Sequence, residues 1–140
     1  MSTTSEKLIQ ICKRVAISAD LKNQSFTEIV TVDDVKVAVF CGLLFVLYDS
    51  LVGNEQPSMI PLSKKEKIES LAKVIDEIGR VFNANVSELD AQSVIEGNEY
   101  HTLEIFEVFE RLFEKKNRYE DQSWNSPICY LLFNILTFQT

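Results

Sequence analysis

Few residues in this chain have types and spacing that could do chemistry. His101 is the single histidine and Glu104 follows three positions later, so on a helix the two share a face. An imidazole and a carboxylate are two potential metal ligands, but a zinc site takes three or four, and neither residue sits in a ligand motif. No metal is expected. Cys12, Cys41 and Cys129 are the cysteines. A cysteine nucleophile would need His101 as its base, and Cys12 and Cys41 lie among apolar neighbours, where a thiol behaves as a small core residue. Glu104, Glu107, Glu110 and Glu114 could imitate an acid–base pair, yet on an open helix face nothing raises one pKa against another. Gly42, Gly53, Gly79 and Gly97 stand apart, which gives no phosphate-cradling loop. Phe106, Phe109 and Phe113 recur at helical spacing, the pattern of a core stripe. Neither an enzyme nor a cofactor is expected.

The elements that carry these residues centre on positions 33–52, DDVKVAVFCGLLFVLYDSLV. From Val35 onward the exceptions to apolar character are Lys36, Gly42, Asp49 and Ser50, with Tyr48 half-polar. A helix apolar on nearly all sides is buried on nearly all sides. About twenty residues at roughly 1.5 Å each would cross a small domain. Asp33, Asp34, Lys36 and Asp49 leave an uncharged run of about a dozen residues, short of the ~20 that a membrane span needs. The stretch is therefore expected to be one continuous central helix, with Val39, Leu43, Leu44, Val46 and Leu47 almost fully buried. Thr31, Asp33 or Asp34 can cap its start and Gly53 can end it.

Around it the periodicity predicts further helices. Residues 6–20 form an amphipathic helix through Leu8, Ile11, Cys12, Val15 and Ala16. Ser25 to Glu28 has the form of a capping box, and Ser63 to Glu66 repeats it after a linker holding Pro57 and Pro61. The helix that follows runs through Ile68, Leu71, Ala72, Ile75, Ile78 and Phe82. A short helix fits within 86–94, with Ser87 to Asp90 as its box. Asn98 caps a strongly amphipathic helix over 99–116, with Leu103, Ile105, Phe106, Phe109, Leu112 and Phe113 inward and Glu104, Glu107, Glu110 and Glu114 outward. Residues 1–118 read as one helical domain and 119–140 as a polar linker and apolar tail. The tail's run at 128–138 is too short for a span and is expected to pack on the domain or to drive association.

The totals agree. At 140 residues and 46% hydrophobic, the chain can bury a core. Its net charge is −7, and residues 88–114 hold all of the imbalance, with eight acids against Arg111. An acidic surface repels phosphate backbones, so nucleic acid is a poor partner. An odd cysteine number at wide spacing fits free thiols in a reducing compartment, and the polar first six residues do not open a signal peptide. A cytoplasmic protein is expected.

One order of motifs stands out: VFCGLLFVLYDSLVGNEQPSMI, then KIESLAKVIDEI, then VSELDAQSVIEGNEYHTLEIFEVFERLFE. It resembles the N-terminal calponin-homology-like domain of the ninety-five-kilodalton centrosomal coiled-coil protein family, over roughly residues 6–116. Tyr48, Leu51, Gly53, Ile75, Asp76, Leu89, Ile95, Gly97, Leu103, Ile105 and Phe106 carry the likeness. The resemblance implies an all-α bundle of calponin-homology-like type without catalysis, docking onto a cytoskeletal or protein partner at a centrosome, spindle pole, basal body or cilium. The family's long coiled coil has no counterpart here; the apolar stretch from Ile128 stands in its place. The acidic third argues against direct contact with microtubules, whose surface is itself acidic. Partner contact is expected at two places, the Lys64, Lys65, Lys67 cluster and the Glu104, Glu107, Glu110, Glu114 face. The alternative is a helical adaptor or regulator unrelated to the cytoskeleton that binds a partner helix in an apolar groove.

Overall fold

In the computed structural model, residues 3–19, 29–53 and 60–121 are described, with side chains as far as residue 117. These residues are all-helical, with no strand among them. The helices are α1 (Thr4–Ser18), α2 (Val32–Phe40), α3 (Leu43–Val52), α4 (Lys64–Val81), α5 (Ala91–Ile95) and α6 (Glu99–Asp121). Ser25 to Glu28, Cys129 and the 128–138 run lie outside the described residues.

Starts are set where the sequence places short polar side chains. Thr3 Oγ1 accepts from Glu6 N–H at 3.1 Å to open α1, and Ser63 Oγ does the same from Glu66 N–H, also at 3.1 Å, to open α4. Thr31 caps α2 in a full capping box: its hydroxyl accepts from Asp34 N–H at 3.2 Å, and Asp34 Oδ2 accepts from Thr31 N–H at 3.0 Å and Val30 N–H at 2.9 Å. Asn98 Oδ1 accepts from His101 N–H at 3.1 Å and opens α6. Ser87 to Asp90 does not form the box that its sequence suggests; the Ser87 hydroxyl and N–H both donate to Asn85 Oδ1 in a turn, and α5 starts only at Ala91.

The expected continuous helix over 33–52 is two helices, α2 and α3, bent by 68° at Cys41–Gly42. Gly42 is the cause. Its φ of 110° cannot continue a right-handed helix, and few residues other than glycine adopt it. The last turn of α2 closes through Cys41 N–H to Val37 O at 2.8 Å and Gly42 N–H to Val39 O at 3.1 Å. The Gly42 carbonyl then starts α3 by accepting from Phe45 N–H at 3.1 Å and Val46 N–H at 3.2 Å. The missing side chain is also needed for space, since a Cβ on Gly42 would stand 2.7 Å from Ile60 Cδ1. Val39, Leu43, Leu44 and Leu47 are buried as expected, and Val46 is only half-buried.

α6 is the other organiser. Ile105, Phe106, Phe109 and Phe113 are buried along it, with the last two rings stacked at 6.4 Å. α1 lies parallel to α6: the Ser5 hydroxyl bonds Glu99, Arg14 meets Glu110, and Asn117 Nδ2 reaches Ser18 O at 3.4 Å. At the far end, Lys116 Nζ donates to Ser50 O at 2.8 Å, and the Ser50 hydroxyl donates to Ala19 O at 2.9 Å. Lys116 and Asn117 of α6 thus reach carbonyls in the last turns of α3 and α1, where Ser50 O also accepts from Gly53 N–H at 3.3 Å. On the opposite side of α3, the Tyr48 hydroxyl donates to Glu77 Oε2 of α4 at 2.5 Å. Burial first and that bond second hold the phenol well above its ordinary pKa.

Three outcomes check this account. Leu43→Ala is expected to cost roughly 2–5 kcal/mol in urea denaturation, through the cavity left in the core. Gly42→Ala is expected to cost about 1–3 kcal/mol through backbone strain and the Ile60 clash, with Ile60→Ala in the same chain recovering only the clash. The Asp34 carboxyl is held below its ordinary pKa, first by the Val30 N–H and then by that of Thr31. Its contribution is thus complete above the unfolded value of about 3.9 and fades as pH falls through the lower folded value. Asp34→Asn should remove that part of the acid dependence, seen as a flatter stability–pH curve below about pH 4.

Candidate interaction surface

α4 opens with the three lysines of the basic cluster, and the fold separates them. Lys64 Nζ pairs with Glu96 Oε2 at 3.2 Å, both side chains being about half in water. Lys65 is exposed. Lys67 is 7% exposed, and its Nζ sits 3.6 Å from the centroid of the Phe40 ring. The lysine stem lies against apolar surface while the ammonium faces the negative face of the aromatic ring. Lys67 therefore covers the end of α2, whereas Lys64 and Lys65 of the same cluster are exposed. The sequence could not show it, because Phe40 comes within reach of α4 only through the turn at Gly42.

The four glutamates of α6 also divide. Glu110 accepts from Arg14 Nε at 2.8 Å and Nη2 at 3.4 Å, which ties α6 to α1. Glu107 and Glu114 are exposed. Glu104 is half-buried, with one carboxylate oxygen lacking a hydrogen-bond partner. A hydrogen bond to Glu104 raises the Tyr100 phenol above its ordinary pKa, with the charge of Glu104 adding to it. His101 stands edge-on to Tyr100, 5.6 Å between centroids, and its Nδ1 is buried without a partner. His101 and Glu104 do come to the same region, but among the described residues no group of three or more His, Cys, Asp or Glu could hold a metal ion. Cys12 is buried, and burial pushes its thiol up to about 12, the opposite of an activated nucleophile. Cys41, expected in the core, is exposed, because it falls on the outer side of the α2–α3 corner.

That corner creates a surface that periodicity alone does not reveal. Val37 is 62% exposed, Phe40 40% and Leu62 91%. Val37 and Phe40 are three apart on α2 and share a face. Leu62 lies in the chain between Ile60, whose side chain lies against Gly42, and the start of α4. Val37 and Phe40 thus leave one face of α2 apolar and in water, and Leu62 stands exposed just before α4. The available signal was Gly42 itself, a lone glycine in the middle of an apolar run.

Comparison with protein-family models, curated proteins and solved structures finds no match. No single helix among the described residues is long and apolar enough to cross a membrane.

Lys67 offers a direct check of this geometry. Lys67→Met keeps the stem over Phe40 and is expected to change stability by less than about 1 kcal/mol. Lys67→Glu puts a carboxylate against the ring and should cost about 1–3 kcal/mol in the same urea titration. Equal effects of the two substitutions would show that the ammonium is not held at the ring.

Proposed function

We propose that this chain is a non-enzymatic protein-interaction domain of calponin-homology-like type, belonging to a centrosomal, spindle-pole or basal-body protein and docking on a protein partner. The single observation that carries the docking reading is the solvent exposure of Val37 and Phe40 on one face of α2 at the α2–α3 corner. Domains bury such surface unless something else covers it. The compartment rests on the resemblance, and the positions that carry it have structural work to do here. Leu51, Ile95, Ile105 and Phe106 are buried, Tyr48 ties α3 to α4, and Gly53 ends α3 at φ 73°. The same exposed corner equally serves an adaptor unrelated to the cytoskeleton, which is the second reading.

Proximity labelling with the full chain in cells separates the two. Enrichment of centrosomal or basal-body neighbours is the expected outcome; neighbours drawn from another compartment would favour the adaptor. Direct microtubule binding is expected to be absent at physiological salt, because residues 88–114 hold the whole −7 charge. Co-sedimentation that is strong and insensitive to salt would overturn that expectation. Charge reversal to map any salt-sensitive binding belongs at Lys64 and Lys65, since reversing Lys67 would damage the fold.

A further inference from the structure

We draw no further inference here: the strongest candidate, the exposed apolar face of α2 at Val37 and Phe40, belongs to the docking surface already described, and nothing in the structure shows what covers it.

Discussion

The positive φ of Gly42 is the constraint on which most of the arrangement depends. It turns an apolar run of about thirty ångströms, had it been continuous, into two short helices with different fates. α3 goes inward, and Leu43, Leu44, Phe45, Leu47 and Leu51 are all buried. α2 stays at the edge, burying Val35 and Val39 and leaving Val37 and Phe40 in water. The absent side chain at Gly42 also makes the seat for Ile60, and Ile60 brings the chain to α4 with Leu62 outside and Lys67 over Phe40. A corner of backbone thereby decides which apolar residues form the core and which form a surface.

The corner would have little effect if α3 were free to swing. It is held at its far end by side-chain hydrogen bonds to carbonyls at the ends of helices. Lys116 of α6 donates to Ser50 O, and the Ser50 hydroxyl donates to Ala19 O at the end of α1. A cation at carbonyls of a helix C-terminus is favoured by the dipole as well as by the bond. Between the two ends, Tyr48 ties α3 to Glu77 of α4. α3 is therefore tied through Tyr48 and Ser50 to α4, to α6 and to the end of α1, while its buried leucines pack in the core.

The sequence made the helices legible wherever polarity and period agreed. α1, α4 and α6 fall close to where their stripes place them, and Thr31, Ser63 and Asn98 cap as their types suggest. The apolar run over 33–52 failed for a definite reason: when almost every residue is apolar, period carries no orientation, and only the conformational preference of Gly42 marks the break. Cys41 was misplaced by the same error, since on a continuous buried helix it would be core and at the corner it is exposed. The candidate site was less legible than the fold. Charge clusters along a sequence say nothing about which members are engaged by distant partners. Lys67 is taken by Phe40, twenty-seven positions away, and Glu110 by Arg14, ninety-six away.

Lys67 also explains how an apolar corner can stand in water. Of the three exposed side chains, Phe40, the one beneath its ammonium, is the least exposed, at 40% against 62% for Val37 and 91% for Leu62. Lys67 is itself 7% exposed, and its stem and ammonium together take part of the ring out of water without hiding it. The same contact joins the end of α2 to the first turns of α4, so the helix that the Gly42 turn leaves at the edge is still tied to the rest of the bundle.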